Sequence, residues 1–285
     1  MKIITAIQEM HDYISRLKRR GHAIGFVPTM GALHAGHMSL FAAAAAGNEK
    51  VVASIFVNPA QFAAGEDFEK YPRDIKKDLK MLKESKNVHC VFTPDAKDIY
   101  PESYATYVEL AGEMPKIMEG ITRPTHFKGV TTIIAKLLNI VKPGMIYLGQ
   151  KDLQQAVILK KMIKDLDYPA QAVICPVIRE KDGLAMSSRN VYLTPEQRNS
   201  APVLYKSLQM AQSMIELGER DAEVLVKEIK RKLKDENVEI DYVEVVDPDT
   251  LAKKERISDS TAIVAVIYVG KIRLIDNVVI ELKEK

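Results

Sequence analysis

Two histidines three positions apart, set among glycines, are the residues of this chain whose types and spacing most directly suggest chemistry. His34 and His37 follow an apolar run that ends at Pro28, and an alanine-rich segment follows them. This order predicts a strand, a loop and the start of a helix. Backbone N–H groups and the helix dipole point at one spot in such a junction and bind anions there. The pattern therefore predicts that the histidines contact phosphate groups.

Two other polar segments could act on the same phosphates. The segment 149–152 reads Gly-Gln-Lys-Asp after a short apolar run, so that Lys151 could neutralise phosphate charge. The segment 186–189 reads Met-Ser-Ser-Arg and offers a guanidinium and two hydroxyls to a departing phosphate. In isolation each segment is also compatible with an ordinary surface turn, and Gln61 and Gln155 are compatible with surface amides. Convergence of the three segments on one triphosphate is the expectation that gives them catalytic roles.

A metal site is the alternative interpretation of the two histidines. Zinc would need further ligands, and no cysteine, other histidine or acidic residue lies close to His34 and His37 in the sequence. Cys90 and Cys175 are far apart in apolar surroundings, which favours buried, reduced thiols over zinc or redox chemistry. The spacing therefore favours phosphate binding over metal binding.

Composition narrows the classes of partner. The net charge of +3 comes from interleaved acidic and basic residues, which argues against a surface that binds nucleic acid. No run approaches the roughly 20 apolar residues of a membrane span, and the first residues lack the unbroken apolar core of a signal peptide. We therefore expect an ordered cytoplasmic protein with no nucleic-acid or membrane partner.

Apolar periodicity predicts the elements that position these residues. Strand-like runs alternate with helical patterns over the first part of the chain, which indicates an α/β fold with a Rossmann-like, doubly wound parallel sheet. Ligands bind beyond the carboxyl ends of such strands, where we expect the loop before His34 to meet the loop Asn58–Phe62. After a strand-like run at 24–27, the predicted strands are 51–57, 88–92, 104–110, 145–148 and 173–178. The predicted helices are 3–20, with a Thr5–Gln8 capping box, 66–86, 129–141 and 153–166.

The pattern changes near residues 176–184, where Pro176 and a polar stretch interrupt the alternation. We therefore predict one domain over 1–178 and a smaller α+β domain over 179–285. Gly270 and Lys271 predict a hairpin between the last two strands. Helices are expected over 195–217 and 221–236, and strands over 240–246, 262–269 and 272–280.

Taken together, the motifs resemble one enzyme family. The segments 34–37 and 186–189 are similar to the HIGH and KMSKS signatures of the nucleotidyl-transferring superfamily, which includes class I aminoacyl-tRNA synthetases. The resemblance to the pantothenate synthetase (pantoate–β-alanine ligase) family runs nearly end to end, with the motifs in the family's order. It is carried by FVPTMGALHAGHMSL, SIFVNPAQF, YPRD, RPTHFKGV, LGQKDLQQ, DGLAMSSRNVYL and RLIDN.

The resemblance implies an ATP-dependent ligase of pantothenate biosynthesis, on the pathway to coenzyme A. ATP and (R)-pantoate would form pantoyl adenylate and pyrophosphate, and the amine of β-alanine would then displace AMP. Adenylation replaces an oxide leaving group with AMP, so that no protein nucleophile is needed. The resemblance also implies a homodimer, a lid-like C-terminal domain, and magnesium that bridges the phosphates mostly through water, with Asp78 as a neighbour.

Residue roles follow from the same resemblance. The catalytic residues would be His37, as proton donor, together with His34, Lys151 and Arg189. Pantoate would bind to Met30, Gln61 and Gln155, with Gln61 also near β-alanine. ATP would bind to Met30, Gly31, His34, Gly36, His37, Gly149, Gln150, Lys151, Asp152, Ile178, Met186, Ser187, Ser188 and Arg189.

Two departures from the family pattern carry expectations of their own. The run Phe41–Ala46 replaces arginines that relatives usually carry, which predicts a change in surface charge. Gln150 stands where many relatives have glutamate, which puts a side-chain role there in question. The alternative functions are a nucleotidyltransferase that adenylates a phosphate ester, an RNA-binding module and an idle nucleotide sensor. Neutral Gln61 and Gln155, the low net charge and the intact charged site residues argue against these three in turn.

Overall fold

The computed structural model describes residues 1–63, 65–66, 68–236 and 238–282. The chain forms two compact units: unit 1 is Met1–Gly149 with Ile158–Pro176, and unit 2 is Gln150–Val157 with Val177–Lys285. The division between Pro176 and Val177 lies two residues before the predicted boundary at 178/179. The short segment Gln150–Val157 differs from the prediction, because it belongs to unit 2 although the sequence pattern placed it in the first domain.

Unit 1 is built on a parallel six-stranded sheet, as predicted for a doubly wound α/β fold. The strand order is β1-β4-β3-β2-β5-β6, and the strands pair in parallel throughout. The chain proceeds from β2 through β3 to β4 and then restarts at β5 on the other side of β2, so that β2 and β5 flank the topological switch point. The strands are β1 Lys2–Ile4, β2 Ile24–Thr29, β3 Lys50–Ile55, β4 Cys90–Phe92, β5 Met145–Gly149 and β6 Gln171–Cys175.

Seven helices accompany these strands in the described part of the chain. Helix α2 packs its buried residues Leu40, Phe41 and Ala44 against the apolar strands, in a core that includes Val27 and Val91. Helix α7 (Leu153–Asp165) is divided between the units: its residues up to Val157 belong to unit 2, and those from Ile158 onward belong to unit 1. The helices are α1 Ile7–Arg19, α2 Ala35–Gly47, α3 Ile75–Ser85, α4 Ala96–Ile99, α5 Glu119–Thr122, α6 His126–Val141 and α7 Leu153–Asp165.

The predicted first helix is wrong at its start. Lys2–Ile4 form strand β1, which pairs with β4, and the helix begins only after Ala6. The expected Thr5–Gln8 capping box is also wrong, since Ala6 is the N-cap and the Gln8 amide donates to Asp12 instead. A strand of three residues is too short to show an alternating pattern, so the longer helical periodicity concealed it.

Two further predictions fail, the first because side chains satisfy the backbone. Residues 104–110 form no strand: the Thr131 hydroxyl donates to the Val108 carbonyl at 2.6 Å, and the Val108 N–H donates to the Thr132 hydroxyl at 3.0 Å. The segment is therefore held by helix α6. Among the described residues of the predicted helix 66–86, only Ile75–Ser85 are helical, and position 67 lies outside the described residues.

Unit 2 contains an antiparallel sheet of order β7-β8-β9, as the α+β prediction required. The predicted hairpin joins β8 to β9, with Gly270 at a φ of 61°. The predicted helix 195–217 is two helices, since Pro202 begins the second as its N-cap. The elements are α8 Pro195–Ser200, α9 Val203–Glu216, α10 Ala222–Lys234, β7 Glu239–Val246, β8 Thr261–Val269 and β9 Ile272–Ile280.

Candidate active site

His34 and His37 form a reciprocal cap at the start of helix α2. The Gly36 N–H donates to Nδ1 of His34 at 3.1 Å, and the His34 N–H donates to Nδ1 of His37 at 3.3 Å. The ring centroids lie 4.1 Å apart. Because Nδ1 accepts in both rings, the proton of each neutral imidazole belongs on Nε2. The sequence pattern therefore yields two N–H donors at a helix N-terminus, which suits an anionic ligand.

Asp78 holds the loop that leads into this helix. Its carboxylate is 2% exposed and accepts from the N–H of Ala32 at 2.9 Å and from that of Leu33 at 2.8 Å. Ala32 has a φ of 50° and Gly31 a φ of 83°. A side chain at Gly31 would also bring a Cβ within 2.8 Å of the Asp78 carboxylate. Asp78 therefore acts on backbone N–H groups and fixes a turn that glycine makes possible.

Gln61 is the predicted substrate residue with the best-defined surroundings. The side chain of Gln61, which is 8% exposed, donates through Nε2 to the sulfur of Met30 at 3.2 Å, so the structure brings these two predicted residues together. Asn58 donates through Nδ2 to Oε1 of Gln61 at 3.1 Å and to the Gly129 carbonyl at 3.1 Å. The Tyr100 hydroxyl donates to Oδ1 of Asn58 at 2.8 Å. Burial raises the pKa of Tyr100, which keeps this donor protonated.

The backbone of Gln61 is fixed as well. His126 Nδ1 donates to the Gln61 carbonyl at 3.0 Å, and Arg123 Nη1 donates to His126 Nε2 at 3.3 Å. Burial, followed by the charge of Arg123, lowers the pKa of His126 to about 4, so the ring is neutral. Arg123 also forms an ion pair with Glu66 at 2.6 Å. The sequence motifs on which the family resemblance rests include Asn58, Arg123 and His126. Nothing in the types or spacing of these residues predicted a role for them.

In unit 2, the segment Gln150–Asp152 forms a 3-10 turn. Lys151 is 21% exposed and its Nζ lies 3.2 Å from a carboxylate oxygen of Asp152. The Asn277 amide of strand β9 donates to the carbonyls of Gln150 and Lys151 at 2.9 and 3.0 Å. These long-range bonds explain why the turn belongs to unit 2, a placement that sequence reasoning missed.

The segment 178–190 forms a second supported turn in unit 2. The Met186 N–H donates to the Ile178 carbonyl at 2.9 Å, which joins two residues predicted to bind ATP. The chain reverses at Gly183, whose φ is 96°. Ser187 then caps the 3-10 turn Ser188–Tyr192, because its hydroxyl accepts from the Arg189 N–H at 3.2 Å. The predicted serines and arginine thus belong to a turn with its own cap.

The remaining predicted residues lie as follows. Gln155 is half-buried in the first turn of α7, and Gly149 ends β5 beside the switch point. Ala42 and Ala46 are exposed on α2, at positions where arginines would add surface charge. No group of three or more histidine, cysteine or acidic side chains suits a metal ion within the ranges that the structure describes. The helices there include none that is both long and apolar enough for a membrane span.

Comparisons with known proteins find relatives along the whole chain. A family model described as pantoate-beta-alanine ligase matches residues 2–279. The pantothenate synthetase of Thermotoga neapolitana is 49% identical over 282 residues, which cover 98% of this chain and 100% of the relative. That of Moorella thermoacetica is 45% identical over 285 residues and covers 100% of both chains.

Solved structures give the same result. A pantothenate synthetase structure from Thermus thermophilus matches with a TM-score of 0.93 and 38% identity, covering 98% of this chain and 99% of that one. A pantoate-beta-alanine ligase structure from Francisella tularensis, complexed with beta-gamma ATP and beta-alanine, matches with a TM-score of 0.82 and 36% identity. The coverage is 98% of this chain and 97% of that one.

Removing the Asp78 carboxylate should destabilise the protein. In Asp78→Ala the N–H groups of Ala32 and Leu33 lose a charged acceptor, and each such bond contributes about 1.5–3 kcal/mol. We expect the free energy of unfolding in urea to fall by about 3 kcal/mol or more. Asp74→Ala is the matched control, because Asp74 caps the same helix α3 through one exposed bond to the Lys77 N–H at 3.0 Å; it should cost about 1 kcal/mol. Equal losses in the two variants would contradict the role of Asp78 in holding the loop before helix α2.

His126 should make stability fall on acidification. Its folded pKa of about 4 lies below the ordinary value of 6.5. The contribution of neutral His126 to the free energy of unfolding is therefore fully present above pH 6.5 and is lost as the pH falls through 4. This loss is at most about 3 kcal/mol. Urea unfolding between pH 7 and 4.5 measures this loss, and His126→Gln should lack it. If the free energy of unfolding of His126→Gln falls with pH as steeply as that of the original protein, then His126 is not the cause of the fall.

Proposed function

The chain belongs to the pantoate–β-alanine ligase family, and from this premise we propose how its residues perform the ligation. A carboxylate oxygen of pantoate attacks the α-phosphorus of ATP, and the bond from that phosphorus to the pyrophosphate oxygen breaks. The amine of β-alanine then attacks the acyl carbon of pantoyl adenylate, AMP leaves with the electron pair of the carbon–oxygen bond, and the amine loses a proton. The products are pantothenate, AMP and pyrophosphate.

The reciprocal histidine cap is the observation that carries this proposal. Each Nδ1 accepts a backbone N–H, so each Nε2–H is a donor held in a fixed direction. We propose that His34 and His37 donate hydrogen bonds through Nε2–H to phosphate oxygens, where negative charge grows as the α-phosphorus is attacked. The proton-donor role expected of His37 is then that of a hydrogen-bond donor, because a neutral ring whose Nδ1 accepts a backbone N–H keeps its Nε2 proton. Gly31 and Gly36 allow the nucleotide to approach the backbone. Preorganised donors of this kind stabilise a transition state without reorganising during the reaction.

We assign to unit 2 the charge that the leaving pyrophosphate needs. Lys151 neutralises phosphate charge, while Arg189, with the hydroxyls of Ser187 and Ser188, binds the pyrophosphate as it departs. The capped turns that hold these residues support the assignment, because they limit the loss of conformational freedom on binding. Further ATP contacts are proposed from Met30, Gly149, Gln150, Asp152, Ile178 and Met186.

We propose that pantoate binds to Gln61, Gln155 and Met30, and that β-alanine binds beside Gln61. A primary amide has two N–H bonds and two carbonyl lone pairs, and the contacts with Met30 and Asn58 use one of each in Gln61. The amide can therefore donate to and accept from a hydroxyl or carboxylate. A neutral amide suits pantoate better than a phosphate ester, which would call for a basic pocket.

Magnesium enters this proposal as part of the ATP substrate. The carboxylate of Asp78 is buried and already accepts two backbone N–H groups, which does not fit a direct ligand. Mg²⁺ commonly keeps several waters and binds through substrate phosphates. We therefore propose that phosphate oxygens and water hold the ion, and that Asp78 acts on the loop.

We also propose a homodimer that acts in the cytoplasm. Resemblance to the family supports the dimer. The cytoplasmic location is supported by Cys90 and Cys175, which are buried thiols, and burial raises the pKa of Cys90 to about 12, which makes it unreactive. Sedimentation equilibrium at micromolar protein measures the oligomeric state, and a single species at the mass of one chain would contradict the dimer.

Product analysis tests the reaction itself. With ATP, magnesium, (R)-pantoate and β-alanine, we expect equal amounts of AMP, pyrophosphate and pantothenate by mass spectrometry. Without β-alanine, pantoyl adenylate should accumulate to at most about one equivalent per site. Release of ADP and phosphate would overturn the adenylate mechanism, and adenylation of a phosphate ester without an amine would favour the nucleotidyltransferase alternative.

Variants test the residue roles. His37→Ala and Lys151→Ala should each lower pantoate-dependent exchange of pyrophosphate into ATP about 10²–10³-fold, as for other groups that stabilise transition-state charge. Lys164→Ala, in the last turn of α7, is the control and should retain its rate. A near-normal rate in either site variant would remove that residue from the catalytic set.

A further inference from the structure

The motif RLIDN in strand β9 contains two buried polar residues that the proposed mechanism does not use. Asp276 and Asn277 are each 1% exposed. Both lie in unit 2, far along the chain from the segments assigned to phosphate binding. Burying polar groups is unfavourable unless they are hydrogen-bonded, so their partners indicate what these residues do.

Asn277 makes hydrogen bonds through both ends of its side-chain amide. Its Nδ2 donates to the Gln150 carbonyl at 2.9 Å and to the Lys151 carbonyl at 3.0 Å, while its Oδ1 accepts from Nε2 of Gln150 at 3.1 Å. Two consecutive backbone carbonyls and one side chain of the turn are thus bound to one buried residue. The backbone that carries Lys151 is fixed at both of its peptide groups.

Asp276 supports the second turn. Arg179 donates to both carboxylate oxygens of Asp276, at 3.0 Å through Nη2, and its Nη1 also donates to the Gly183 carbonyl at 3.1 Å. The guanidinium carbon lies 3.6 Å from the centre of the Tyr205 ring. Arg179 and Ala185 form a β-bridge directly before Met186, so the ion pair anchors the base of the turn that leads to the serines.

We propose that Asn277 is a positioning residue that sets Lys151 for adenylation, with Asp276 in the same role for the Ser187–Arg189 turn. One strand, β9, then carries adjacent anchors for both turns. A side-chain amide suits position 277 because the carbonyls of Gln150 and Lys151 need hydrogen-bond donors and the side-chain amide of Gln150 needs an acceptor. A carboxylate suits position 276, since it matches the fork of a guanidinium. This inference rests on the proposed role of Lys151.

Asn277→Asp tests the proposal with almost no change of shape. The substitution turns a donor group into an oxygen that faces two carbonyl oxygens, so the turn must move. A displacement of about 1 Å costs on the order of 10²-fold in rate, and we expect pantoate-dependent exchange of pyrophosphate into ATP to fall about 10–100-fold. Asn277→Leu, which lacks both polar groups, should give a loss of the same order. Rates close to that of the original protein in both variants would overturn the proposal.

A double-mutant cycle separates positioning from a general loss of structure. If Asn277 acts through Lys151, then adding Asn277→Asp to Lys151→Ala should change the exchange rate by less than about threefold. Losses that multiply would show that Asn277 acts independently of Lys151 and would overturn the proposal. If Lys151→Ala alone retained its rate, the proposed role of Lys151 would fail, and this inference with it. If Lys151→Ala is impaired but Asn277→Asp keeps its rate, this inference fails while the proposed role of Lys151 stands, so the two failures are distinguishable.

A second ion pair of the same sheet provides the matched control. Arg273 of β9 donates to Asp241 of β7 at 2.9 and 2.7 Å, and the pair is largely buried. Asp241→Asn should lower the melting temperature while exchange at 25 °C stays within about twofold of the original rate. Should neither Asn277 variant fold, Gln150→Ala removes one bond of the anchor from the half-buried turn, and a non-additive loss with Lys151→Ala is again expected. An additive loss would contradict the proposal.

Discussion

A buried backbone group must have a hydrogen-bond partner, and in this chain that requirement determines how the candidate site is built. The segments that carry its charged and polar groups are turns, which have no neighbouring strand to pair with. Asp78 supplies acceptors for Ala32 and Leu33, and Asn277 supplies donors for Gln150 and Lys151. Each turn is thus fixed by a polar side chain from an element distant in sequence.

Much of the fold could be predicted because its signals are local. The apolar runs that became β2, β3 and β5, and the helix after His34, follow from patterns within about ten residues of each position. The predictions failed where a distant partner decided the structure. The segment 104–110 has the residues of a strand, but Thr131 and Thr132 hold its backbone, and Lys2–Ile4 form a strand because β4 lies beside them.

The same distinction applies to the site. The cap formed by His34 and His37 could be placed at a helix start because the glycines and the alanine-rich segment that indicate this start are adjacent in sequence; their contact with phosphate stays a prediction. Asp78 was expected near a metal because the family resemblance implied it, and only the structure shows two backbone N–H groups donating to its oxygens. Asn58 and His126, which fix Gln61, have ordinary neighbours in the sequence. Their contribution depends on tertiary contacts that no spacing rule encodes.

Backbone carbonyls determine how the Gln150 side chain is oriented. The carbonyls of Gln150 and Lys151 can only accept, so the Asn277 group that faces both must be its NH₂, and its Oδ1 must face the Gln150 side chain. Gln150 therefore donates through Nε2. A glutamate, which the family pattern leads one to expect, would place two acceptors together at this point. The Gln150 side chain thus binds the protein itself, and the part that we propose for it in ATP binding is to hold the turn that presents Lys151.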